Sequence, residues 1–418
     1  MIKTFENSKG ILFIFIPFFL IIGPAIADIS VSLIGFLFIL ISILKKDYTY
    51  YRSKFVIFIF FWNFYLITIS LFSENPLLSL ESSLFYFRFI FFSLGVWYIF
   101  EHKSKYVNLF FWFLLASFFI LIIDGYYQMF NGVNLLGYPI VGTRITSFFK
   151  DELILGSYLS RLFPLLFGLM IYLYSNKKNL FYLIFTLFIL TDTIIFLSGE
   201  RSALFYLLLS SIFIIIFVKK WKIARIATLI LSFLLLIFFS VLNNDYKKRI
   251  VDYTFDQITQ TDGNDKINLF SIQHEVIYKT SIKIFIDYPF FGIGPKNFRF
   301  KCKEDKYKSY TKLDGSIEGC QTSPHNYYIQ ILTETGIIGM LFFLVFPILF
   351  FKLLMTRMFS KKNNQFSLHD FEICLLSCLL ITFWPFVPTG NVFNNWINVV
   401  HYLPLGMLLF IQNKYKNL

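Results

Sequence analysis

Ser202-Ala-Leu-Phe-Tyr-Leu-Leu-Leu-Ser-Ser-Ile-Phe-Ile-Ile-Ile-Phe-Val218, followed at once by Lys219-Lys220-Trp221-Lys222, decides the fold class. An uncharged run of this kind approaches the ~20 residues with which an α-helix crosses a hydrocarbon core. The cations at its end belong in water. Runs of the same character recur along the whole chain. About twelve segments qualify by length and apolarity: 11–27, 29–44, 55–72, 84–100, 107–123, 153–174, 180–197, 203–218, 223–242, 337–355, 371–388 and 398–412. The composition agrees, with 57% hydrophobic residues and 58 Phe in 418 residues, and a mean hydropathy of +0.65. A soluble domain has nowhere to hide that much apolar surface. The expected fold is an all-α polytopic membrane protein, one integral membrane domain over residues 1–418. The first two segments meet tightly at Pro24 and Asp28 and are short enough to tilt or form a broken pair.

The net charge of +13 would suit a nucleic-acid partner, but its distribution does not. Lys45, Lys46, Arg52 and Lys54 follow the second segment, and Lys103 and Lys105 the fourth. Lys177 and Lys178 follow the sixth, and Lys219, Lys220, Lys222 and Arg225 surround a later turn. Arg357, Lys361 and Lys362 follow the tenth, and Lys414 and Lys416 close the chain. Every second loop is basic, as the positive-inside rule requires. Both termini are therefore expected in the cytoplasm, and no nucleic-acid partner is expected. The intervening loops, such as 73–83 with Glu74 and Glu81, are poor in Lys and Arg. A cleaved signal peptide is the rival reading of the N-terminus, because Lys3 and Lys9 precede an apolar run ending Ala25-Ile26-Ala27-Asp28. The next apolar run starts at once, so an uncleaved span is expected.

Two polar insertions stand on the outer side. The first covers about 124–152 and contains Gly125, Gly132, Gly137 and Gly142. The second covers 243–336, between the ninth and tenth segments. Its Cys302 and Cys320 suit a disulfide in an oxidising compartment, closing a loop of about 18 residues and stabilising it by about 3 kcal/mol in the entropic account. No second thiol pair accompanies them, so no metal site is expected. Cys374 and Cys378 share one face of the eleventh segment and read as packing residues.

Within the large loop, Ser271–Asp287 has helical spacing. Ile272, Val276, Ile277, Ile284 and Phe285 share a broad face opposite Gln273, Lys279 and Lys283. This predicts an amphipathic helix lying on the membrane or on the bundle. Tyr288-Pro-Phe-Phe-Gly-Ile-Gly-Pro295 then makes a tight loop. A second helix is predicted from Ser323 as N-cap and Pro324 at the first helical position, with Gly336 at the junction with the next span. It would place Asn326, Gln330, Thr333 and Glu334 on one side and Tyr328, Ile329 and Leu332 on the other. His325, one of five histidines, would sit in its first turn. The positive helix end there disfavours imidazolium, leaving a neutral ring able to accept a proton. Helix capping is the equally weighted structural reading.

Four arginines lie in or above the outer leaflet. Arg88 is just inside the fourth segment, Arg161 is about 12 Å deep in the sixth at 1.5 Å per residue, Arg201 begins the eighth, and Arg144 precedes the sixth. Intramembrane arginine costs roughly 2.5–3.5 kcal/mol on insertion scales. Guanidinium groups at that depth suit a lipid-borne diphosphate. Internal pairing, as of Arg201 with Glu200 or of Arg144 and Arg161 with Asp151 and Glu152, is the alternative for one or two of them.

Three motifs resemble the O-antigen ligase and O-antigen polymerase superfamily. They are His325-Asn326 with Glu334-x-Gly336-Ile337-Ile338-Gly339 before a span, Gly199-Glu-Arg201-Ser-Ala203, and Tyr288-Pro-Phe-Phe-Gly-Ile-Gly-Pro295-x-x-Phe298. Arg144-Ile-Thr-Ser-Phe-Phe-Lys-Asp-Glu152 adds to the likeness. The resemblance implies a glycosyltransferase of the bacterial inner membrane with a periplasmic active site. It would move glycan from an undecaprenyl-diphosphate carrier to a lipid A-core hydroxyl or, as a polymerase, to another lipid-linked chain, without a cofactor. It implies His325 as the base, Arg201 with Arg144 or Arg161 as diphosphate binders, and Asn326 and Glu334 in support. Glu334 lies nearly opposite His325 on an ideal helix, so it would orient the helix or pair with an arginine. A polysaccharide flippase is the competing class. It would carry charge through both leaflets and needs no long outer loop.

Overall fold

The computed structural model describes residues 1–242, 270–310, 318–359 and 366–416. No strand forms among them, and the chain is a helical bundle. It opens with α1 (Ile2–Ile22) and α2 (Pro24–Lys45), then α3 (Lys54–Leu71), α4 (Pro76–Ser83), α5 (Arg88–His102) and α6 (Ser104–Asn131). After a loop come α7 (Leu155–Tyr174), α8 (Lys178–Leu197), α9 (Arg201–Phe217) and α10 (Lys222–Leu242). The remaining long elements are α11 (Ile272–Asp287), α12 (Tyr327–Phe359), α13 (Phe366–Thr382) and α14 (Asn395–Lys416).

Among the described residues, seven helices are long and apolar enough to cross a membrane: α1, α2, α3, the α4–α5 stretch, α6, α7 and α12. The segments expected at 180–197 and 203–218 are apolar but shorter helices. Those expected at 223–242 and 398–412 are helical as α10 and α14, whereas the one expected at 371–388 is helical only as far as Thr382, in α13. The first pair is not truncated. α1 and α2 are full-length helices broken at Gly23, with Pro24 pre-set for the first helical position.

The core is a continuous layer of buried aliphatic and aromatic side chains. α5 packs between α2 and α14, and α7 packs between α9 and α13. Ion pairs tie down each end. At one end Glu6 of α1 takes Lys45 at 2.7 Å and Lys103 at 2.8 Å. At the other, Asp28 takes Arg88 Nε at 2.8 Å, and Asn395 bonds to both.

Two basic residues do not sit where loop charges belong. Arg225 was expected among the cytoplasmic cations of a turn. It lies inside α10 with 0% exposure. It makes two bonds to Asp192 of α8, at 2.8 and 3.0 Å, and two to Ser211 of α9. Its side chain points between α8 and α9, where only a carboxylate makes a guanidinium tolerable. Arg88 begins α5, inside the apolar Pro76–His102 stretch, and pairs with Asp28. The cations expected at Lys361 and Lys362 lie outside the described residues, as do 243–269 and 311–317 of the large loop.

The described part of that loop forms a second, small core. α11 starts and ends within a residue of the predicted helix. It buries Val276, Ile277, Thr280, Ser281 and Ile284 against α12 and the turn beyond. Ile277, Ile284, Ile293, Phe298, Cys302 and Tyr307 make the apolar cluster. The Cys302–Cys320 disulfide forms, with Cα atoms 5.1 Å apart. Asn297 and Pro295 bond Asn75 and Ser79, and Lys301 pairs with Glu74 and Glu304, so the loop is pinned to α4.

Candidate functional site

Three motifs converge where this loop meets the bundle. α12 is broken at Gly336 (φ 67°, ψ −172°), and the broken turn exposes backbone groups that a helix would have used internally. The 289–294 turn takes them. Gly294 N donates to Glu334 O at 2.8 Å, and Ile337 N donates to Pro289 O at 2.8 Å. The two backbones touch so closely that a Cβ on Gly336 would lie 2.2 Å from Phe290 O, and one on Gly292 would lie 2.5 Å from Glu334 C. Positive φ and close approach both require glycine at these positions. The two motifs are therefore one interlocked joint, and it fixes the direction of α12.

The helix begins at Tyr327, not at Ser323. Its cap is Asn326, whose Oδ1 accepts from Tyr328 N at 3.0 Å and Ile329 N at 3.2 Å. His325 precedes the helix, with a left-handed φ of 55°. That conformation costs about 1–2 kcal/mol in a non-glycine residue. It is held by the 383–394 loop, where Thr389 N donates to His325 O at 2.8 Å and Pro385 O accepts from Asn326 Nδ2 at 2.7 Å. Ser323-Pro324 carries valid start signals, but this tertiary clamp claims the backbone first. Gln330 continues it, bonding Asn391 and the N–H of Val392. Glu334 receives Gln330 Nε2 at 2.9 Å and faces the 292–299 turn, away from His325.

His325 has an unforeseen neighbour. His274, in the first turn of α11, stands edge-on to it with ring centroids 6.1 Å apart and planes at 88°. Burial pushes His274 down to about 4, and the charges of His325 and Arg201 push the same way. Burial also lowers His325, against a backbone hydrogen bond at Thr389. Both shifts favour the neutral ring near pH 7, and Arg201 lies within electrostatic reach of His274.

Arg201 is the first residue of α9, and its N-cap Glu200 organises the surroundings. The Glu200 carboxylate caps α7, accepting from Gly156 N at 2.6 Å and from Ser157 N and Oγ at 3.0 and 2.7 Å. Burial pushes Glu200 up to about 7, against those bonds and the Arg144 charge. Arg144 Nη2 donates to Gly199 O at 3.2 Å. Its loop is built by two buried side chains of α6: Gln128 Oε1 accepts from the N–H groups of Thr146 and Ser147, and Asp124 holds Leu135 N and Ser147 Oγ. Arg144 and Arg201 therefore share one turn.

Arg161 lies deeper, 5% exposed, with its guanidinium 4.5 Å from the Tyr206 ring and Nη1 3.4 Å from His401 Nε2. His401 in turn meets Tyr327 edge-on. Both His401 and Tyr327 line a cavity of about 370 Å³ that is otherwise mainly apolar, between α3, α12, α13 and α14. On α14 its lining runs from Asn398 to Gln412, about 21 Å of helix. Of the expected site residues, His325 faces His274, on which the Arg201 charge acts, Arg144 bonds the Gly199 carbonyl just before Arg201, Arg161 meets the cavity-lining His401, and Arg88 stays with Asp28.

Residues 183–344 match the family model for O-antigen ligase. The match supports the O-antigen ligase superfamily over this span. All three resembling motifs fall inside the matched span, whereas Arg88, Arg144, Arg161 and His401 lie outside it. No curated protein matches the chain. The family match and the apolar helices support a multi-pass membrane protein of O-antigen ligase or polymerase type. His274, His401 and Tyr327 were missed in the sequence because a lone histidine on an amphipathic helix, or one near the chain end, carries no local signal.

Proposed function

We propose that this protein is an O-antigen ligase-like glycosyltransferase. It moves glycan from undecaprenyl diphosphate to a lipid A-core hydroxyl at the periplasmic face of the bacterial inner membrane, with both termini cytoplasmic. Polymerase action on a second lipid-linked chain uses the same donor and differs only in the acceptor. The observation that carries the reading is that half-buried His325 faces His274, the ring on which the Arg201 charge acts, at the joint of two family motifs. His325 takes the acceptor hydroxyl proton as the oxygen attacks the anomeric carbon. The bond from that carbon to the diphosphate oxygen breaks, and the leaving group gains charge. Arg201 and Arg144 stabilise it, with Arg161 below. The long apolar cavity takes the prenyl chain, and the described parts of the loop, 270–310 and 318–336, cover the sugars.

In a strain whose only copy is His325→Ala, long-chain lipopolysaccharide is expected to disappear while the protein still inserts and melts as wild type. Wild-type glycan in that strain sinks the assignment. In the deletion strain, loss of all long chains with lipid-linked polymer accumulating identifies a ligase. A core carrying one repeat identifies a polymerase. The pH profile follows from the direction of the shift. A base works as neutral imidazole, and burial holds His325 below the ordinary 6.5, so the acid limb of the transfer rate falls below pH 6.5. An acid limb above 6.5 contradicts His325 as the base.

A further inference from the structure

His274 stands at the same place as His325 and Arg201 and has no part in the mechanism above. Its Nδ1 lies 2.6 Å from Ser271 Oγ. Ser271 is the N-cap of α11, yet its side chain makes no capping bond. A serine there ordinarily donates nothing to a side chain and accepts from the helix. Here its hydroxyl is turned to the imidazole. With the hydroxyl donating to Nδ1, the ring proton sits on Nε2, the nitrogen that projects away from the helix. The ring is edge-on to His325, and Tyr278 flanks it one turn along with centroids 6.2 Å apart. Among the described residues no carboxylate bonds either imidazole. Two neutral imidazoles and a guanidinium therefore converge on one place.

We propose that His274 is a substrate-holding residue, its Nε2–H donated to a diphosphate oxygen of the lipid-linked donor beside Arg201, with Ser271 setting the tautomer. The inference rests on the donor reading above and adds a donor residue to it. The two imidazoles divide the work. His325 receives the acceptor proton, and His274 gives a hydrogen bond without changing its own protonation.

The test is binding of undecaprenyl diphosphate and of undecaprenol to the purified full-length protein in micelles. His274→Phe keeps the ring and its packing but removes the donor. His274→Gln keeps an N–H near the Nε2 position. The Phe variant is expected to bind the diphosphate about tenfold more weakly, the effect of one hydrogen bond to a charged group. The Gln variant is expected to stay within a few-fold of wild type, and both should bind undecaprenol as wild type does. Undiminished diphosphate binding by His274→Phe overturns the role of His274. So does equal loss of undecaprenol binding in both variants, which marks a packing residue. A wild-type protein that fails to prefer the diphosphate over the alcohol overturns the donor reading itself, and His274 with it.

Discussion

Arg225 and Arg161 are both buried arginines in the helical bundle, and they are treated in opposite ways. Arg225 is closed. Asp192 takes it with two bonds, Ser211 adds two more, and Thr228 and Ser232 complete the network. Arg161 is open. Among the described residues it meets no carboxylate, only the face of Tyr206 and the ring of His401. A buried ion pair with satisfied hydrogen bonds costs little, whereas a buried charge without its counterion costs several kcal/mol. The first arrangement fastens helices α8, α9 and α10. The second leaves the guanidinium beside His401, one of the residues that line the apolar cavity. Burial of an arginine is therefore a poor guide to function; the identity of its partner is a good one.

The comparison has three points of attack. The largest effect is expected for Arg225→Ala, which leaves Asp192 alone in the core and costs about 3–5 kcal/mol of stability. Thermal unfolding in micelles reads it, and the double variant Arg225→Met, Asp192→Leu should recover most of the loss. Equal melting of wild type and Arg225→Ala breaks the assignment of this pair as structural. For Arg161→Ala the expected effect moves from stability to turnover. Removing one group that meets developing charge costs about 10²–10³ in rate, with a smaller fall in melting temperature than Arg225→Ala causes. A transfer rate within a few-fold of wild type removes Arg161 from the site. The smallest effect is expected for Arg88→Ala. The pair with Asp28 is partly solvated and contributes about 0–1 kcal/mol. Transfer in this variant should stay near wild type, and a loss as large as that of Arg161→Ala would return Arg88 to the substrate-binding set.

Local signals were legible wherever the physics is local. The amphipathic period of 271–287 marks α11 to within a residue, because a helix that buries one face must repeat its apolar positions. The Cys302–Cys320 pair was readable from compartment and separation. Gly336 marks the break in α12, because a chain reversal with positive φ selects glycine. The start of α12 was misread because two valid caps stand three residues apart, and the 383–394 loop, remote in sequence, chooses Asn326. Arg225 was misread for the same kind of reason. Its neighbours Lys219, Lys220 and Lys222 are a basic turn, and its partner Asp192 is on another helix.

Sequence alone determined the apolar bundle, the polar loop and the family motifs. Each follows from the solvent preference or backbone freedom of residues close together in the chain. Tertiary structure decided which charges are closed and which are open. It drew Asp192 to Arg225, Asp28 to Arg88, His401 to Arg161 and His274 to His325. Those pairings depend on distances between helices far apart in the chain, and electrostatics acts through space, with no trace in local spacing.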